Sequence, residues 1–307
     1  MITVLGGGTG SIKIIRGLSH CTSNLSVISN VGDNFWFNNL YICPDIDTSI
    51  YGLAGILDKN RGWGIKNDTF CYHNNLKNLG EESWFQIGDK DLITHLIRTR
   101  MLSKGFSLSQ IVKWITLHLY NIQYEILPAS DTHIETRILT DRGDMNIQEF
   151  WVKNRAKPKV LDVYYKNIEK AESNEYVLKI LRSSDLIVLA PGNPVSSIGP
   201  IISIAQIRNE LINQRKKVIA ISPVIGKKAI SGPAVKYLRA KGIKSTCVGV
   251  AKYYSELISN IIIDLVDRNF SNRIKKMGIS TFETNIMMNN IQEEKRLAKF
   301  ILKVMNY

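Results

Sequence analysis

Four glycines within five positions, in Leu5-Gly6-Gly7-Gly8-Thr9-Gly10-Ser11, are the first residues of this sequence whose types and spacing point to chemistry. Glycine lets a backbone adopt positive φ and approach a ligand closely. A β-favouring run, Ile2 to Leu5, precedes the loop, and Ile12, Ile15 and Leu18 follow at helical spacing, so the glycines fall in a strand-to-helix turn. The start of such a helix offers unpaired N–H groups and the positive end of its dipole, which favour an anion. Gly7, Gly8, Thr9 and Gly10 are therefore candidate contacts for a nucleotide or diphosphate. The simpler alternative is a tight turn that needs glycine for its backbone alone. The loop fits the dinucleotide fingerprint loosely, and Asp33, after the strand-like run Leu25 to Val31, stands where a ribose-binding acid would. Taken alone, the loop is thus compatible with a nicotinamide oxidoreductase; no Gly-Lys-Ser or Gly-Lys-Thr follows to make it a Walker loop.

Carboxylates come next. Asp33 ends a strand, where ligand crevices open in parallel sheets, and Pro44-Asp45-Ile46-Asp47-Thr48 places two acids two residues apart. In an extended segment these two would share a side. Acids converging on a phosphate loop would repel the substrate unless a hard cation bridged them, and Mg2+ takes one or two carboxylates together with phosphate oxygens and water. Asp33, Asp45 and Asp47 are the candidate metal ligands. The alternative for the last two is that Asp45 caps a helix starting near Thr48 and Asp47 is solvated.

Two further stretches carry polar groups in a pattern. From Gly88-Asp89-Lys90-Asp91 the spacing predicts a helix with Asp91, His95 and Arg98 on one stripe, and Leu92, Ile93, Leu96 and Met101 on an apolar face. The stripe either lines a cleft or forms a charged surface. Ala190 to Pro200 is a second strand-to-helix turn, in which Ser196 and Ser197 are suited either to bind a phosphate or base or to cap the next helix.

The elements that must position these residues read as follows. Strand-like runs at Glu125 to Pro128, Ile134 to Thr140, Leu186 to Ala190, Val218 to Ser222, Ser245 to Val250 and Ile261 to Leu265 succeed the first two. Helical patterns at Ile201 to Gln214 and Gly232 to Lys241 lie between the later ones, which predicts an α/β fold with a parallel sheet covered on both faces. A helical, tryptophan-containing stretch from about residue 48 to 122 reads as an insertion beside the sheet, and Arg296 to Met305 reads as a closing helix. No linker or repeat divides residues 1–307, so a single α/β domain is expected.

The 307 residues are 44% hydrophobic and 22% charged, which suits a globular core and does not indicate disorder. No apolar run is long enough for a bilayer, and Ile2 begins a strand with no basic and apolar leader before it, so a cytoplasmic protein without membrane partners is expected. Cys21, Cys43, Cys71 and Cys247 form no C-x-x-C pair, which suggests neither a zinc site nor a disulfide framework. The net charge of +13 is spread along the chain without an RNA- or DNA-binding motif, so it supports an anionic small substrate and not nucleic acid.

Taken in order, Gly6-Gly7-Gly8-Thr9-Gly10, Asn30-Val31-Gly32-Asp33, Pro44-Asp45-Ile46-Asp47-Thr48, Arg61-Gly62-Trp63-Gly64, Gly88-Asp89-Lys90-Asp91 through His95, Leu127-Pro128-Ala129-Ser130-Asp131, Gln148-Glu149-Phe150-Trp151 and Asn193-Pro194 through Gly199-Pro200 closely resemble the CofD family. The resemblance runs from residue 2 to about 255. Those enzymes are 2-phospho-L-lactate transferases of deazaflavin coenzyme biosynthesis. The resemblance implies a Rossmann-like core, a homodimer, Mg2+ as cofactor, and two substrates, the deazaflavin Fo and lactyl diphosphoguanosine or a related three-carbon ester. It implies that the ribityl hydroxyl of Fo attacks the phosphorus nearer the lactate, releasing GMP and forming F-420-0. Asp47 and Lys90 correspond to family positions associated with Fo; Asp91 and His95 join them as candidate Fo contacts, with the 48–122 insertion forming part of that site. Asn193, Ser197 and Gly199 join the glycine loop as candidate nucleotide or diphosphate contacts. Asp33 and Asp47 are the candidate catalytic residues.

Two departures stand out. Lys90 occupies a position where arginine is usual, turning a planar fork into a point charge. Asn34 stands where a second aspartate is common. A second group with the same opening loop, the YvcK-like proteins, resembles a nucleotide-sugar-binding regulator; its Gly- and Ser-rich stretch after the second strand is replaced here by Phe35-Trp36-Phe37. Those aromatics either fill a core or border a flat ring.

Overall fold

In the computed structural model, which describes residues 1–226, 228–229 and 232–307, the centre of the sheet is built from short, mainly apolar runs that are almost wholly buried. The strands are β1 (Ile2–Leu5), β2 (Leu25–Ser29), β3 (Glu125–Pro128), β4 (Leu186–Leu189), β5 (Val218–Ile221), β6 (Asn260–Ile263) and β7 (Ser280–Glu283). Only the two edge strands and the first residue of β6 depart from full burial, as expected where helices cover both faces. The order across the sheet is β7-β6-β5-β4-β1-β2-β3, and every pairing is parallel. Chain progression reverses between β1 and β4, so the crevice between their carboxyl ends is the topological switch point of a Rossmann-like sheet. Gly6 N–H donates to Ile28 O and Ala190 N–H to Leu5 O, each at 3.0 Å, which holds the two strand-to-helix turns side by side.

Helix α1 (Gly8–Ser19) starts in the glycine loop and buries Ile12, Ile14, Ile15 and Leu18. The C-terminal helix, Ile291–Val304, lies so close to it that a Cβ on Gly17 would stand 2.4 Å from Glu294 O; Arg16 Nε donates to Glu294 Oε2 at 3.0 Å. The last fifty residues, unremarkable as sequence, thus supply β7 and a clamp on the helix that presents the loop.

Between β2 and β3 the chain makes an excursion over residues 30–124. It holds a hairpin, Phe35–Phe37 with Leu40–Ile42, then α2 (Pro44–Leu53), α3 (Cys71–Asn78), α4 (Asp89–Ser103) and α5 (Leu108–Trp114). It is mainly helical, as the sequence predicts, but leaves the sheet earlier than Thr48. A separate antiparallel sheet, with Glu135–Thr140 between Gly143–Asn146 and Val160–Lys166, follows β3. No helix among the described residues is long and apolar enough to cross a membrane.

Three readings of the sequence are corrected. Ser245 to Val250 is not a strand: Thr246 accepts from Gly249 N–H and caps the helix Cys247–Tyr253, a buried helix whose short apolar run has no distinguishing period. The pattern at Ile201 to Gln214 is two helices, Gly199–Ser203 and Ala205–Asn213, broken at Ile204, which is extended. On α4 the apolar face is reversed. Asp91, Thr94, His95 and Arg98 are buried, whereas Ile93 and Leu96 are 49% and 51% exposed. The polar stripe turns inward because its partners are there.

Candidate active site

Asp45 and Asp47 begin a helix, not an extended segment, since Pro44 is suited to its first turn and α2 starts there. Two residues along a helix are about 200° apart, so the carboxylates do not share a side, and each joins a different cluster.

The first cluster sits on the glycine loop. Asn30, immediately after β2, donates through Nδ2 to Asp33 Oδ1 and Asp45 Oδ2 at 2.9 Å each and toward Ser196 O at 3.2 Å. Its own Oδ1 accepts from Gly32 N–H at 2.8 Å. One buried amide thereby gathers both acids and the second turn. Asp45 also explains the glycines: a Cβ on Gly7 would lie 2.5 Å from Asp45 Cβ, and one on Gly8, where φ is +68°, 2.6 Å from Asp45 Oδ1. The leading N–H groups of α1 have no intrahelical acceptor, and no side chain caps them. Burial pushes the Asp45 carboxyl up to about 6, against the pull of Asn30, and burial together with the charge of Asp45 pushes Asp33 well above the usual carboxylate range.

The second cluster joins α2 to α4. Arg98, with no exposed surface, grips Asp47 with both ends of its fork: Nη1 donates to Oδ2 at 3.1 Å and Nη2 to Oδ1. Nη1 also donates to Tyr41 O at 3.2 Å and stands 3.2 Å from His95 Nδ1. His95 Nε2 stands 3.3 Å from Asp91 Oδ1. The Tyr51 hydroxyl donates to Asp91 Oδ1 at 2.5 Å. Burial raises Asp47 above its ordinary value although Arg98 and His95 pull it down; Asp91 is buried too, but His95, Tyr51 and Arg98 bring it below. Arg98 is held firmly charged by Asp47.

Both clusters open into one cleft of about 450 Å3. Its lining includes Gly7, Gly8, Thr9, Gly10, Asp33, Asp45, Asp47, Asp91, His95, Asn193 and Ser197, so most of the residues singled out in the sequence converge. Two do not line it. Lys90 is exposed and its Nζ donates to Asn67 O at 2.7 Å, while Gly199 has Tyr165 packed against it, with Oη 2.0 Å from where a Cβ would be. Asp89, beside Lys90, accepts from Thr69 Oγ1 and from the N–H groups of Tyr72 and Cys71; these bonds hold its carboxyl down at about 2 and fasten α3 to α4.

The cleft lining is also aromatic, with Trp63, Trp84, Phe85 and Trp151. Phe35 and Phe37 lie beneath it in a small core with Leu40, Ile42 and Ile87, their rings 4.9 Å from Phe85 and 5.0 Å from Trp84, while Trp36 points outward. The Phe-Trp-Phe segment is thus core that props the wall. Trp151 belongs to a π-helical turn, Glu149–Lys153, a distortion that recurs at functional sites. Sequence reasoning missed Asn30, Tyr51, Trp84 and Tyr237 as site residues. Asn30 lay inside a quoted motif; the others are lone aromatics whose role depends on folding distant segments together.

Among the described residues that line the cleft, four are aspartates and none is lysine or arginine. No group of three or more metal-ligating side chains occurs among the described residues either. A pair of carboxylates, each with an oxygen left over after Asn30, fits a hard cation that completes its shell with phosphate and water.

A parallel sheet with its switch-point crevice lined by a glycine turn, acids and an aromatic wall defines a Rossmann-like α/β protein. Its fold matches a UPF0052-family protein from Bacillus halodurans, with a TM-score of 0.67, 15% identity and 98% of each chain covered. The family described as 2-phospho-L-lactate transferase CofD matches residues 2–297, further toward the C-terminus than the motifs alone reach. Curated 2-phospho-L-lactate transferases are similar along the whole length. That of Methanococcoides burtonii is 38% identical, covering 98% of each chain, and that of Methanocaldococcus jannaschii is 37% identical, covering 99% of this chain and 97% of its own. The chain belongs to the CofD family of transferases, and the nucleotide-sugar-binding regulator is not favoured.

Proposed function

We propose that this protein transfers a 2-phospholactyl or phosphoenolpyruvyl group from a guanosine diphosphate ester to the ribityl hydroxyl of the deazaflavin Fo, releasing GMP and forming F-420-0. The observation that carries this reading is the lining of one cleft: a glycine loop with paired acids, four large aromatic side chains, and no lysine or arginine among the described lining residues.

In this reading the first N–H groups of α1, with Asn193 and Ser197, take the diphosphate, and Trp63, Trp84, Phe85 and Trp151 take the flat deazaflavin ring. Asp33 and Asp45 hold Mg2+. When bound, that ion supplies the positive charge that neutralises the diphosphate and the charge developing on the transferred phosphoryl group. Phosphoryl transfer asks for alignment and charge neutralisation and for no covalent protein intermediate. The ribityl oxygen forms a bond to the phosphorus nearer the acid, the bond from that phosphorus to the GMP oxygen breaks, and the ribityl proton passes to Asp47. Arg98 fixes the direction of the Asp47 carboxylate, and burial raises its basicity above that of an ordinary carboxylate, which suits a proton acceptor. His95 and Asp91 brace that geometry and border the ribityl chain.

The test is GMP release on mixing the protein with Fo, the donor ester and Mg2+. EDTA should abolish it, and at sub-saturating Mg2+ the rate should fall as pH drops through about 6, since protons then compete with the cation for Asp45. Undiminished release in EDTA would remove the metal from the account.

A further inference from the structure

We propose that the Tyr237 hydroxyl is a substrate contact, donating a hydrogen bond to an anionic oxygen of the donor ester in the cleft. The proposal rests on the reading of the cleft as the donor site and adds a residue to it that no sequence motif indicates. Tyr237 lies on the helix Ala234–Ala240 and is 1% exposed, yet it lines the cleft, as do Gly232 and Pro233 just before that helix. Its ring is fixed by packing, with the Phe150 ring 5.7 Å away, centre to centre. Its hydroxyl has no hydrogen-bond partner among the described residues.

Buried hydroxyls are almost always paired, because leaving one unpaired works against the fold. Trp84 Nε1 and His95 Nε2 are the other unpaired buried polar atoms on cleft residues, but Trp84 is partly exposed and His95 Nε2 faces Asp91. Tyr237 therefore stands out as a desolvated donor aimed at a ligand. A phenol keeps its proton at neutral pH and can offer it to an anionic acceptor. The cleft has no cationic donor among its described lining residues, which include four carboxylates and no ammonium or guanidinium. An anionic ester entering it needs each neutral donor the wall presents. The anionic oxygen belongs either to a phosphate or to the carboxylate of the three-carbon acid.

The test is Tyr237→Phe, which removes the hydroxyl and keeps the ring. Because the hydroxyl has no partner among the described residues, the variant should melt at the wild-type temperature or above it. Calorimetric titration with GDP and with the carboxylate-bearing donor, each with Mg2+ and without Fo, reads binding independently of turnover. Loss of affinity on the order of 10- to 100-fold is expected, the effect of one hydrogen bond to a charged group. A loss shared by GDP and the donor assigns the contact to phosphate, and a loss confined to the donor assigns it to the carboxylate. Unchanged affinity for both overturns the proposal. If the wild-type protein binds neither ligand, the reading of the cleft itself fails, which the variant comparison does not confuse with failure of Tyr237.

Discussion

Replacing Asp45 by asparagine should lower transfer on the order of 10²- to 10³-fold while making the metal-free protein more stable at pH 7.5. The two effects have one cause. Burial lifts the Asp45 carboxyl from 3.8 to about 6, so between those values the unfolded chain ionises where the folded one does not. Stability is therefore lost as pH rises through that window, by about 3 kcal/mol when fully developed. Asparagine has no charge to desolvate and can still accept from Asn30 Nδ2. In the wild-type protein a bound cation offsets the same cost, so Mg2+ should raise the melting temperature at pH 7.5 and little at pH 5. Thermal melts of the wild-type and Asp45→Asn proteins at both pH values, with and without Mg2+, are the measurement. A variant that melts lower than wild type at pH 7.5 without metal, or that keeps its activity, would contradict this account of Asp45.

Arg98→Met should destabilise the protein by about 3–5 kcal/mol at pH 8, because it strands the buried Asp47 carboxylate without its fork. Methionine fills much of the volume, so the deficit reports the charge and not a cavity. The sign of its pH dependence distinguishes this from lost packing. Without Arg98 the folded-state value of Asp47, already raised by burial, rises further. Such a group contributes stability when protonated and loses it as pH rises, so the deficit should shrink on lowering the pH from 8 to 5. Denaturant titrations at the two pH values read it directly, and a deficit of equal size at both would assign Arg98 a packing role. A double variant, Asp47→Asn with Arg98→Met, should recover much of the loss in stability without recovering transfer.

Six of the seven sheet strands were legible because parallel strands buried on both faces are continuous apolar runs, whereas the edge strand β7, Ser-Thr-Phe-Glu, gave no such run; the glycine loop was legible because its composition permits little else. The acids were legible as residues but not as an arrangement. Asp45 and Asp47 look like partners two positions apart, yet helix α2 sends one to Asn30 and the other to Arg98. The stripe on α4 was read correctly and its surroundings were not: amphipathic logic buries Ile93 and Leu96, whereas the ion pair with Asp47 and the hydrogen bond from Tyr51 to Asp91 turn the helix the other way. Lys90 and Gly199 carry family motifs without lining the cleft, since motif spacing does not say which way a side chain faces. Tyr237 and Trp84 had no signal at all. Their positions arise from contacts between segments far apart in the chain.

The most direct measurement follows the phosphorus. The donor ester, carrying heavy oxygen at the non-bridging positions of the phosphate nearer the three-carbon acid, is incubated with Fo, Mg2+ and the protein, and the products are separated and weighed by mass spectrometry. The account predicts that the label appears in a phosphodiester with Fo and that the released GMP carries none. Label retained in the nucleotide, or no adduct with Fo for any three-carbon ester, would contradict it.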